Sequence, residues 1–115
     1  MGLFTVAEAR SELIRLRPVL DRIVTLRADA AELGAVLNAG GGGLPEWKAA
    51  TARLDDLMTE IQQTGAVLKS LAPLLVDFPS ELDGAEVDLC WLEGETEITW
   101  YHRSDLGFAA RRRLP

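Results

Sequence analysis

The chain has 115 residues, 48% of them apolar, with a formal net charge of −6. That length fits one domain, the apolar share excludes disorder, and the acidic balance excludes a nucleic-acid binder, which needs a positive surface for phosphates. The charge is uneven: residues 1–72 hold eight basic and nine acidic residues, 73–102 hold eight acids and no Lys or Arg, and 103–115 hold four arginines against Asp105.

Thr5-Val6-Ala7-Glu8 reads as a capping box. The threonine hydroxyl accepts from the amide three residues on, and the glutamate reaches back to the Thr5 amide. A first helix is expected over about 6–38. Leu13, Leu16, Leu20, Ile23, Leu26, Ala30, Leu33 and Leu37 recur along it at steps of three and four. Pro18 lacks a backbone donor and should kink this helix without ending it. Gly40 to Gly43 form the loop 39–44; no Lys with Ser or Thr follows, so they are not a phosphate cradle.

A second helix is expected over about 45–72, opened by Pro45 and Glu46 and striped by Trp47, Ala50, Leu54, Leu57, Ile61, Leu68 and Leu71. The two should fold back as a long antiparallel hairpin of coiled-coil character. Pairing numbers that sum to 84 places Leu37 against Trp47 and Gly34 against Ala50.

After Pro73 the period changes. Residues 86–92 and 96–102 are rich in β-branched and aromatic types around Glu93-Gly94, which reads as a small β-hairpin packed on the helices. Leu74 to Phe78 is a candidate third strand. A two-residue turn pairs numbers summing to 187. One face then carries Val87, Leu89, Trp91, Ile98, Trp100 and His102; the other carries Asp88, Cys90 and Tyr101. Ser104 to Pro115 reads as a loop and a solvated basic tail. The fold class is therefore α+β, mostly α, as a single domain over 1–115: a helical hairpin over 1–72, then an acidic β-hairpin and a basic tail over 73–115.

Helices of about 31 residues span roughly 47 Å, whereas a seven-residue strand spans about 23 Å. So short a sheet covers half of such rods. Ile14, Val19, Val24, Val36, Met58 and Val67 widen the apolar face further. A second copy completing a dimeric four-helix arrangement is the simplest cover. The chain lacks a charged, apolar leader and any apolar run of about 20 residues, so a cytoplasmic protein with no membrane contact is expected.

Candidate chemistry is sparse. His102 and Asp105 form H-x-x-D, in which a carboxylate can orient an imidazole as base or ligand, and Asp77 with the tail arginines can complete that site. Trp91, Trp100 and Arg111 are candidate binding residues. One histidine excludes a multi-histidine metal centre, so no metal and no cofactor are expected. Cys90, placed on the face opposite His102, reads as a buried structural thiol.

Val76-Asp77-Phe78-Pro79-Ser80, Asp83-Gly84, Leu89-Cys90-Trp91, His102 and Gly107-Phe108 resemble a small bacterial family, domain of unknown function 2203. Phe4-Thr5, Glu8-Ala9 and Leu16-Arg17-Pro18 match in style. The resemblance implies a helical N-terminal part and a compact strand region, and carries over no activity. Members with this pattern often place Trp directly before the histidine, where Tyr101 stands here. With neither a nucleophile–base pair nor a metal set in view, the sequence favours a homodimeric assembly module over an enzyme. Its acidic hairpin would dock a protein partner. The alternative is a small ligand-binding protein or enzyme with its site around His102, Asp105 and Asp77.

Overall fold

A computed structural model describes residues 2–115. Its elements are α1 (Val6–Asn38), α2 (Leu44–Gln63), β1 (Val67–Leu71), β2 (Leu74–Leu82), β3 (Ala85–Leu92), β4 (Trp100–Arg103), a short 3-10 turn (Phe108–Ala110) and β5 (Arg112–Arg113). The strands form one antiparallel sheet in the order β1-β2-β3-β4-β5. With helices of 33 and 20 residues, about half of the chain is helical. Two compact units result, residues 17–60 and residues 2–16 with 61–115.

The capping box is present in both directions. The Thr5 amide donates to Glu8 Oε1 at 2.8 Å, and the Glu8 amide donates to Thr5 Oγ1 at 3.0 Å. Pro18 lies inside α1, and the helix runs on past it. Gly40, at φ +84°, ends the helix: its amide donates to Leu37 O and that of Gly41 to Val36 O. Those two bonds are a Schellman closure, which a residue with a Cβ resists at this φ. In the helical unit the Trp47 indole lies on Gly34, where an added Cβ would stand 3.3 Å from its Nε1.

The second helix is shorter than expected. It stops at Gln63, and Val67–Leu71, expected as its last turns, is strand β1. Gly65 adopts φ +96°, and the Thr64 hydroxyl donates to Ile61 O at 2.6 Å, consuming a terminal carbonyl. Leu68 and Leu71 keep a helical step of three; in β1 the irregular pairing at Lys69 sets them opposite Val76 and Leu74, and the backbone at Gly65 decides against the helix.

The sheet also departs from expectation. Its central hairpin is β2–β3, joined by Asp83 (φ +50°) and Gly84 (φ +79°). Left-handed angles at both positions make the type I′ turn that matches strand twist. Residues 93–99, read as a turn and the start of a strand, form a long loop instead. Glu95 organises it: its carboxylate accepts from the Leu92 amide at 2.7 Å and its carbonyl from the Trp91 indole at 2.8 Å. Lengthening the connection shifts the β3–β4 pairing to Asp88↔His102 and Cys90↔Trp100, a sum of 190. An odd shift moves the β4 side chains to the other face.

Val76, Phe78, Val87, Leu89 and Trp91 therefore share one buried face. The start of α1 packs there: Phe4 meets Phe78 edge-on at 5.3 Å, and the Ser80 hydroxyl donates to Phe4 O at 2.6 Å. Burying a side chain such as Phe78 is worth about 1.5–3 kcal/mol. Pro79 is tolerated mid-strand because it lies beyond the end of β1. Its carbonyl accepts from the Phe4 amide at 2.8 Å, so its missing N–H also points away from β3.

Candidate functional site

The opposite face of the sheet carries Asp77 on β2, Asp88 and Cys90 on β3, and Trp100 and His102 on β4. Register alone puts them there, since Asp77 pairs with Cys90, Cys90 with Trp100, and Asp88 with His102. Cys90 and His102 thus share a face, correcting the assignment made with the 187 register.

Asp77 is 2% exposed and His102 is 5% exposed, and Nε2 of the histidine lies 3.3 Å from Asp77 Oδ2. The other ring nitrogen, Nδ1, lies 2.9 Å from the Arg103 carbonyl. A carbonyl only accepts, so Nδ1 carries a proton and donates. In the neutral ring this turns the Nε2 lone pair towards a carboxylate oxygen. Asp77 Oδ1 is buried and has no hydrogen-bond partner. The ligand atoms of Asp77, Cys90 and His102 all lie within 4.8 Å of one another.

A pocket of about 230 Å³ opens over Asp77 and His102, walled by Lys69, Asp88, Leu106 and Phe108 among others. Lys69 sits where the β1–β2 pairing is irregular, between Leu68 and Ser70. Burial raises the Asp88 carboxyl pKa, and the nearby Asp77 charge adds to the rise. Burial likewise pushes the Cys90 thiol up to about 12, with Asp77 contributing. A thiol held protonated is a poor nucleophile. In metal-free native protein at pH 8, thiol reagents should label Cys90 only as fast as the fold opens, and immediately in denaturant. Rapid native labelling, followed by mass spectrometry, would contradict this burial.

The other candidates lie elsewhere. Asp105 does not serve His102; it binds the Arg103 guanidinium at 3.1 and 2.7 Å on the surface. Trp91 belongs to the helix-facing side of the sheet. Arg111, read as part of a solvated tail, is tucked in. Its guanidinium donates to Glu95 at 2.7 and 2.9 Å and to the Cys90 carbonyl at 3.2 Å, and stacks over Trp100 and Phe108 at 5.1 and 4.7 Å. Acidic segment and basic tail thus meet within one chain. Asp88, placed beside Cys90 on one face, and Lys69 were not among the candidate site residues; only the true register brings Asp88 to His102, and nothing local marks Lys69.

The family model for an uncharacterized conserved protein, DUF2203, matches residues 2–114. The chain belongs to the DUF2203 family. No curated protein and no solved structure matches it. Membership of this family brings no activity to the chain, so a functional reading rests on the Asp77–His102 site itself. No helix of the described residues is long and apolar enough to cross a membrane.

Proposed function

We propose that this DUF2203 protein binds a small polar ligand over the Asp77–His102 pair. One observation carries the reading: two buried ionisable side chains, 25 residues apart, face each other at 3.3 Å beneath a pocket. Burying such groups costs several kcal/mol unless something compensates, and buried, polar, convergent groups in a cleft mark binding sites. The pocket, at about 230 Å³, is below the size of drug-like sites. Asp77 and, on the wall, Asp88 offer acceptors, so the ligand carries donors or positive charge. Amide NMR of the full chain against a panel of small amines, amides and cations tests this. Shifts clustering at Lys69, Asp77, Asp88 and His102 are expected; shifts elsewhere, or none from the whole panel, overturn it.

A homodimer is favoured by a separate observation in the helical unit. Beyond Ile23 and Leu54 no stripe residue is fully buried: Leu26, Leu33, Leu37 and Trp47 are half-buried, while Val36 and Leu44 are 50% and 47% exposed. A second copy would cover this end in a four-helix, coiled-coil-like arrangement. Light scattering at micromolar concentration should give twice the chain mass, and Val36→Glu with Leu44→Glu should give one; a monomeric parent removes the proposal. Docking of another protein on the acidic hairpin has less support, because Glu95 binds Arg111 and Glu93 accepts from the Leu74 amide. The reading places the protein in the cytoplasm, where a lone thiol stays reduced.

A further inference from the structure

We propose that Asp77, Cys90 and His102 form a site for one divalent transition metal, with zinc the best match to the donors. The inference rests on the pocket described above and joins the buried Cys90, which lies outside the pocket lining, to the Asp77 and His102 that line it. Three adjacent strands each supply one ligand from the same face: oxygen from β2, sulfur from β3, nitrogen from β4. The Cys90 thiol, protonated in the metal-free protein, gives up its proton to solvent as the metal–sulfur bond forms, so uptake releases one proton. Zinc takes this mixture, and sites with three protein ligands keep a fourth position for water or substrate. Ligand atoms about 2.0–2.3 Å from a tetrahedral zinc stand roughly 3.3–3.7 Å apart. The imidazole nitrogen and the carboxylate oxygen already stand 3.3 Å apart, and the thiol sulfur lies within 4.8 Å of both.

Two observations point to a cation and not merely to a polar cluster. The first is the histidine. Its Nδ1–H is committed to the Arg103 carbonyl at 2.9 Å, the outer contact that orients a metal-binding imidazole. In the neutral ring the Nε2 lone pair then meets a carboxylate lone pair, and a cation between them turns repulsion into two bonds. The second is Asp77 Oδ1, buried and without a hydrogen-bond partner. A carboxylate kept 98% out of water with one oxygen unserved is costly unless a ligand draws on it. The pocket gives the entry path and the fourth position, with Asp88 and Lys69 on its wall to position whatever binds the metal. The competing account is a proton in the metal's place, giving a buried imidazolium–carboxylate pair.

Stripped full-length protein titrated with cobalt(II), then zinc(II), separates the two. One equivalent of cobalt should bind with a thiolate-to-cobalt charge-transfer band, and zinc should displace it. The ¹⁵N resonance of His102 Nε2 should move on zinc addition while Nδ1 stays protonated; this readout needs no variant. Cys90→Ser, checked by circular dichroism, should lose the band, and His102→Gln should weaken zinc binding at least 100-fold, beyond the ~10–100-fold typical of losing an outer partner. Absence of stoichiometric binding, cobalt uptake with no thiolate band, or a doubly protonated His102 in excess zinc overturns the metal site. If those appear while small donors still shift Asp77 and His102, the metal falls and the ligand pocket stands. If neither cobalt nor the small donors reach these residues, both readings fall.

Discussion

Asp77→Asn is expected to stabilise the metal-free protein by about 1–3 kcal/mol while abolishing cation binding. The substitution keeps the shape of a side chain that is 2% exposed. It removes a charge that burial leaves poorly solvated and that bears on the neighbouring Asp88 carboxyl. The new amide N–H can donate to His102 Nε2, replacing two opposed acceptors 3.3 Å apart by a hydrogen bond. Groups kept for binding often cost stability, and relieving them raises stability as function is lost. Urea unfolding at pH 7 with chelator present measures the difference. A loss of similar size would instead mean that His102 is charged and Asp77 is its structural counterion. The contrast with Asp105→Asn is useful. That carboxylate is 62% exposed and pairs with Arg103 on the surface, so its neutralisation should change stability by less than about 0.5 kcal/mol.

How much of this was legible in the chain depends on the range of the interactions involved. The capping box and the glycine stop of α1 are written in neighbouring residues, and both are where the sequence puts them. The extent of α2 was not, because Leu68 and Leu71 suit a helical stripe until Gly65 takes a left-handed φ. Asp83-Gly84 is among the strongest hairpin signals a sequence carries, yet the expected turn was placed at Glu93-Gly94, which alternating residues flank, and Asp83-Gly84 was read only as part of the family resemblance. That placement fixed a register three residues off, and an odd error reverses faces. Cys90 and His102 were separated on paper for that reason alone, and with them the cluster around Asp77. The partner of His102 lies 25 residues away, beyond what local spacing can show, while Asp105 stands three residues from the histidine and matches the same H-x-x-D pattern. Arg111 was hidden likewise: three consecutive arginines look solvated until Glu95, Trp100 and Phe108 converge on the first.

Arg111→Met should lower stability by about 2–4 kcal/mol, and Arg112→Ala should change it by less than about 0.5 kcal/mol. The Arg111 and Glu95 side chains are 12% and 21% exposed, so the pair is shielded but not fully dry, and the usual cost of breaking a buried pair is reduced accordingly. Methionine fills much of the volume but leaves Glu95 without its cation and frees the Cys90 carbonyl. It also gives up two cation–π contacts, on Trp100 and Phe108. Phe108 walls the pocket above Asp77 and His102, so the loss should be felt there. Hydrogen exchange across residues 104–110 should quicken in Arg111→Met and stay unchanged in Arg112→Ala. Adding Glu95→Gln to Arg111→Met should recover part of the lost stability, because the stranded charge goes with it. If the double variant is instead less stable by the full sum of the two single losses, the pair is uncoupled. Arg111 would then act through its stacking on the two rings and not through the salt bridge.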